Sequence, residues 1–295
     1  MSPLRSRSRA LAILGTAAAV ALVASACAPK SSSTSSASGS ASASCSTASL
    51  SLYKQGQLTV ATDTPAYAPW FSNNQPSDGQ GFESAVAYAV AKQLGFSASQ
   101  VKWVTESFDN SYAPGTKNFD FDINEISITA QRAKAVDFST GYYDVNQGVL
   151  TLSSSKYAGV KSLSALKGAK IGVQVSTTSY QAVTNEIKPT GSVSVYNTTT
   201  DEVNALKDGQ VDAIVTDMPT VFYLASSELS NGKIVGQFSY NGGSAAEQFG
   251  LLLQKSSALT GCVDQAIAKL KSSGELASLT KKWLSDAAAA PELTQ

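Results

Sequence analysis

Histidine is absent from all 295 residues. That excludes a Ser-His or Cys-His catalytic pair and any histidine-ligated metal site. Arginine is nearly absent too: Arg5, Arg7 and Arg9 crowd the extreme N-terminus, and Arg132 stands alone among lysines over the rest of the chain. Past the N-terminal segment, no apolar run reaches the roughly 18 residues of a membrane-spanning helix. What is present centres on the stretch Ser127-Ile128-Thr129-Ala130-Gln131-Arg132-Ala133-Lys134-Ala135-Val136-Asp137-Phe138-Ser139. A guanidinium can grip a planar carboxylate through two parallel hydrogen bonds, which lysine cannot do. A lone arginine beside small hydroxyl residues points to a ligand; the alternative is a surface arginine in an ordinary ion pair.

Residues 1–26 read as a secretory signal peptide: three arginines without an acid, the apolar residues 10–23, then small residues. The end of that segment, Val23-Ala24-Ser25-Ala26-Cys27, resembles the bacterial lipobox, although Ala24 replaces the usual leucine. Cys27 is the expected lipidation site, plain secretion being the alternative. Residues 27–49 are expected to be a flexible tether, because 31–44 contain only Ser, Ala, Thr and Gly and can bury nothing. Removing the signal peptide takes three of the 22 basic residues and none of the 22 acidic ones, leaving a slightly acidic chain. That balance gives no sign of nucleic-acid binding. With Cys27 set aside, Cys45 and Cys262 remain, and an even remainder in an exported protein suggests a disulfide.

Downstream, residues 58–62 read as a strand, and Phe82, Val86, Ala89, Val90 and Leu94 recur at helical spacing up to a Gly95 stop. Residues 101–105 read as strand and 110–118 as loop. Residues 121–126 alternate with period two, as a half-buried strand does. From 149 onward, strands at 149–152, 170–175, 193–196, 211–216, 234–238 and 249–253 alternate with helical segments, which implies parallel sheets. Thr199 and Glu202 have capping-box spacing. Two C-terminal helices close the chain, and residues 287–295 are expected to fray.

The chain resembles the bacterial solute-binding proteins of amino-acid ABC importers. The resemblance is carried by Leu58-Thr59-Val60-Ala61-Thr62-Asp63, Gly81-Phe82-Glu83, Ser127 to Ala133, Val136-Asp137-Phe138-Ser139, Gly172 to Thr178, Asp208 to Asp217 and Lys281-Lys282-Trp283. Each run is a weak signal, but seven in family order make a strong one. The resemblance implies an α/β, two-lobed fold of the type II periplasmic-binding-protein class, with the ligand cleft between the lobes. One lobe would comprise 50–144 and 243–286 and the other 145–242, with crossings near 144–147 and 239–247.

By the same resemblance, Arg132 binds the ligand carboxylate, Ser127, Thr177 and Thr178 add donors, and Asp217 takes the ammonium. Tyr67 and Phe108 flank the ligand side chain, and Asp63 completes the set. For Asp217 the alternative is helix capping beside Pro219. Glu125 departs from the family, which has a small residue there; it would grip a basic side chain, join Asp217 at the ammonium, turn away, or be offset by a lysine. Ser176 stands where glycine is common in the turn before the threonines. The expected function is capture of a free amino acid, basic or polar rather than acidic, outside the cell membrane and delivery to an ABC permease. No cofactor, no metal and a monomer are expected. The rivals are an exported dehydratase-like enzyme on the same fold and a ligand-sensing module.

Overall fold

The computed structural model describes residues 45–241, 246–285 and 289–295. The expected signal peptide, the Cys27 lipidation site, the tether up to residue 44 and the middle of the second crossing lie outside the described residues.

The first half builds a sheet from β1 (Leu58–Thr62), β2 (Val101–Thr105), β3 (Phe121–Asp122) and β4 (Val136–Phe138), with α1 (Phe82–Gln93) and the short α2 (Phe108–Ser111) between them. All five residues of β1 are buried, as suits the middle of a covered sheet, and β1 pairs in parallel with β2 and β3. The chain then passes through β5 (Tyr143–Asp144) into a second sheet. That sheet contains β6 (Gln147–Leu152), β7 (Ile171–Gln174), β8 (Ser194–Tyr196), β9 (Ala213–Asp217) and β10 (Gly232–Phe238). Its helices are α3 (Thr178–Ala182), α4 (Thr199–Lys207) and α5 (Met218–Tyr223). The chain returns through β11 (Gln248–Phe249), adds β12 (Leu252–Gln254) to the first sheet, and ends in α6 (Thr260–Ser272) and α7 (Glu275–Leu284).

The strand orders are β2-β1-β3-β12-β4 and β10-β6-β9-β7-β8, and the two connecting strands β5 and β11 pair with each other. Both sheets are mixed. The expected parallel pairing holds for β7 with β8 and β9, whereas β6 runs antiparallel to both β9 and β10. Helices α6 and α7 pack beside α1 on a core that includes Val86, Val90, Val263, Ile267, Leu270 and Leu284. The periodicity read for these helices is therefore the buried face of the first lobe.

The structure corrects four expectations. The tether does not extend to residue 49: Cys45 is bonded to Cys262 on α6, Thr47–Ser49 form a 3-10 turn, and the Thr47 hydroxyl donates to Leu94 O at 3.3 Å. Gly95 accepts this arrangement because it carries no side chain; a Cβ there would stand 2.6 Å from Thr47 Oγ1. Nor does the C-terminal tail fray over its described part. Leu293 N–H donates to Gln237 O and Gln237 N–H to Pro291 O, both at 2.8 Å, and Leu163 N–H donates to Thr294 O at 2.8 Å. Leu293 is buried in the core of the second lobe, and Gly236 leaves room for it, since a Cβ there would come within 2.6 Å of Pro291 O.

The strand expected over 121–126 ends at Asp122, because Glu125 adopts a left-handed conformation (φ 53°) that no strand continues through. Helix α4 is capped by Thr198, whose hydroxyl accepts from Asp201 N–H at 3.1 Å. The helix begins one residue earlier than the capping box requires, and Glu202 is fully buried.

Candidate functional site

The cleft between the two sheets contains a cavity of about 60 Å³, and every residue expected to touch a ligand lines it: Asp63, Tyr67, Phe108, Glu125, Ser127, Arg132, Thr177, Thr178 and Asp217. Asn124, Gln174 and Thr216, which sequence reasoning did not single out, line it too, as does Thr199, read only as a helix cap. A larger open groove of about 550 Å³ lies against the other side of Arg132, Thr177 and Thr178. The small cavity is the one with acids facing the arginine, so charge rather than volume marks the site.

Arg132 sits on the short turn Arg132–Lys134, whose first N–H donates to Thr129 Oγ1 at 3.1 Å. Its side chain is 8% exposed, which rules out the surface-ion-pair alternative. The guanidinium lies 5.2 Å from the Phe108 ring centroid and 4.8 Å from that of Tyr112, and the two rings meet edge to face at 5.7 Å, so they form an aromatic corner against the cation. Nη1 donates to Ser127 O and Nη2 to Ser176 O, each at 2.9 Å. Ser127 belongs to the first lobe and Ser176 to the loop after β7, so one side chain spans the cleft. Ser176 takes the positive φ (63°) that glycine would otherwise supply. Burial pushes Arg132 below its ordinary pKa, opposed by Tyr112, Glu247 and Asp217. The fork stays charged all the same.

On the opposite wall, Asp217 closes β9 just before α5. Its side chain makes no capping hydrogen bond to that helix, so the capping alternative is not what the structure contains. Instead Oδ1 accepts from Gln147 Nε2 at 2.9 Å, its cross-strand neighbour. Burial, then the charge of Glu247, raise the Asp217 carboxyl well above the usual range.

Glu125 is placed from below. Its N–H donates to Glu83 Oε1 at 2.7 Å, and the same oxygen accepts from the Tyr142 hydroxyl. The Glu125 carboxyl is raised well above its ordinary value by burial first, then by Glu83 and Asp217. Its Oε2 lies 3.4 Å from Thr220 Oγ1, which also accepts from Trp70 Nε1 at 2.8 Å. Trp70 is in the first lobe and Thr220 in the second, so this chain of bonds crosses the cleft as well. The Tyr67 and Thr200 hydroxyls meet across it at 2.8 Å. Phe108 is committed to Arg132 rather than to a symmetric pair with Tyr67, and Thr177 Oγ1 donates to Gln174 O at 2.8 Å.

Three acids (Asp63, Glu125 and Asp217) thus share the cavity wall with one base, Arg132. Such a surface accepts a molecule that carries an anion at one end and at least one cation elsewhere. Residues 58–286 match the profile of the bacterial extracellular solute-binding proteins, family 3. The chain belongs to that family. It is 31% identical over 234 residues to the ABC transporter glutamine-binding protein GlnH of Bacillus subtilis (strain 168), covering 77% of this chain and 80% of that one. It also resembles the solved structure of an ancestral arginine-binding protein bound to glutamine, with TM-score 0.64, 29% identity, and coverage of 78% and 99%. A further likeness is to the ancestral amino acid-binding protein AncCDT-1, a precursor of cyclohexadienyl dehydratase: TM-score 0.62, 27% identity, coverage of 77% and 95%. The family and the two-sheet architecture identify the fold as a two-lobed, type II periplasmic-binding-protein-like solute-binding protein.

Sequence reasoning passed over Tyr112, Gln147, Thr220, Trp70, Glu83 and Glu247. Tyr112 and Trp70 left a trace, as aromatics in loops bounded by proline. Gln147 and Glu247 left none beyond their place in the expected crossings.

Proposed function

We propose that this protein captures a free amino acid outside the cell membrane and delivers it to the permease of an ABC importer. The observation that carries the reading is the small cavity lined by both Arg132 and Asp217, with more acid than base in its wall. The ligand carboxylate takes the guanidinium donors not given to Ser127 O and Ser176 O, a bidentate contact that lysine could not make. The ammonium sits at Asp217. The side chain extends past Tyr67 toward Asp63 and Glu125, where a basic or polar group is welcome and an acidic one is disfavoured. A ligand that touches both lobes favours the closed arrangement by its difference in affinity for the two states, and by no more. A lipid on Cys27 would hold the protein at the outer face of the membrane, and it would act there as a monomer.

A thermal-shift panel of the twenty amino acids, followed by calorimetry on the best, tests this reading. A ligand at a hundred times its Kd stabilises by about 2.7 kcal/mol, a readable shift. The largest shifts are expected from basic and polar amino acids; a preference for glutamate or aspartate would overturn the charge argument. The likeness to AncCDT-1, an amino acid-binding protein that is a precursor of a dehydratase, makes turnover of the ligand the rival to test. Recovering the bound amino acid chemically unchanged after long incubation supports transport, and recovering it altered refutes it.

A further inference from the structure

The geometry points to Glu247 as a positioning residue, one carboxylate in the second connecting segment that orients a ligand contact on each lobe. This rests on the proposal that the cleft is an amino-acid site. Glu247 is 7% exposed and lies beside β11, where its carbonyl accepts from Val145 N–H of the other connecting segment at 3.0 Å. Its Oε1 accepts from the Ser127 hydroxyl at 2.6 Å, and its Oε2 from Gln147 Nε2 at 3.0 Å. Ser127 belongs to the first lobe, at the carboxylate end of the site. Gln147 opens β6 in the second lobe and passes its other amide hydrogen to Asp217, at the ammonium end.

Two consequences follow from donor arithmetic. A serine hydroxyl has one hydrogen, and a carboxylate only accepts, so the Ser127 hydrogen belongs to Glu247. Ser127 Oγ then presents lone pairs, and Thr178 Oγ1 lies within 3.4 Å of them. Ser127 Oγ is therefore an acceptor in the cleft, open to the Thr178 hydroxyl or to a ligand N–H, and Arg132 is the side-chain donor to the carboxylate. Second, the Gln147 amide nitrogen faces both Glu247 and Asp217, since reversing it would set its oxygen against the Glu247 carboxylate. Glu247 thereby aims the side chain that holds Asp217. A carboxylate sitting where the two connecting segments meet reaches both lobes at once, which a residue within either lobe could not do while remaining fixed to the pivot.

The test uses the full chain and two probes, L-glutamine and L-arginine, with affinity measured by calorimetry. Glu247→Gln keeps the size but sets an amide nitrogen against that of Gln147, so Asp217 loses its donor or Ser127 its acceptor. A ten- to hundredfold loss of affinity is expected for whichever probe the wild type binds. Ser127→Ala alone is expected to weaken binding, and Ser127→Ala added to Glu247→Gln to weaken it several-fold less, because the two act through one bond. Glu247→Asp keeps the charge but cannot span both donors, and is expected to lose the same coupling to Ser127 with smaller effect on melting temperature. Wild-type affinity in Glu247→Gln, or strictly multiplicative losses with Ser127→Ala in both Glu247 variants, would overturn the assignment while leaving the cleft as the site. Absence of binding to both probes, together with no thermal shift from any of the twenty amino acids, would overturn the functional reading, and this assignment with it.

Discussion

Arg132→Lys is the most informative single change, because it keeps the charge and removes only the geometry. In the wild type the guanidinium makes two bonds to backbone carbonyls at 2.9 Å and lies against the Phe108 and Tyr112 rings at 5.2 and 4.8 Å. A lysine ammonium has three donors and no plane, so it can keep the carboxylate or the carbonyls but not all of them. Losing one charge-assisted hydrogen bond removes about 1.5–3 kcal/mol. Losing the contact with the aromatic pair removes about 0.5–1 kcal/mol more. The sum, about 2–4 kcal/mol, corresponds to a Kd weakened about thirty- to seven-hundred-fold, since about 1.4 kcal/mol is tenfold. Calorimetric titration of both proteins with the best amino acid measures it. A change of less than fivefold would show that charge alone suffices, and that the fork and its aromatic contacts are not what recognises the carboxylate.

The raised carboxyls predict proton-linked binding. Glu125 and Asp217 hold protons in the empty cleft to unusually high pH, and a cation favours their ionised forms, so affinity for L-arginine should rise with pH. Titrations in two buffers of different ionisation enthalpy should report net proton release, and uptake would contradict the scheme. Glu83 is pushed up to about 7 by burial, so the stability it contributes is full below the ordinary carboxylate value and is lost as pH rises to about 7. Relative to Glu83→Gln, the wild type should therefore lose up to about 3 kcal/mol between pH 4.5 and 8 in urea melts; parallel pH profiles would refute this. Deleting residues 289–295 uncovers the edge of β10 and empties the Leu293 seat, and should cost about 2–3 kcal/mol in a urea melt at neutral pH. An unchanged midpoint would mean the tail contributes nothing to the fold.

Much of the site was legible because its chemistry is uncommon. A solitary arginine, a run of small hydroxyl residues and an aspartate at a strand end are strong marks once they fall in family order. The helices α1, α6 and α7 were legible because their buried faces repeat at helical spacing. What escaped depends on contacts that no local pattern encodes. The tail of small and polar residues reads as solvent-loving, yet Leu293 finds a core and Gln237 offers its backbone and side chain to it. Residues 45–49 read as part of a flexible tether until the bond from Cys45 to Cys262 holds them down. Glu125 breaks a well-patterned strand because its N–H is claimed by Glu83, 42 residues away in the chain. Glu247 gave no signal, since its partners come from 120 and 100 residues away.

The docking of residues 289–295 on the second lobe also changes where the chain ends. Cys45 is fastened to α6 in the first lobe, while Leu293 lies against β10 in the second. The two ends of the described chain therefore stand on opposite sides of the cleft, and the separation between them becomes a coordinate of its opening. A donor dye beside Tyr53 and an acceptor at Gln295 would form a molecular ruler for lobe motion, read by energy transfer without touching the cavity.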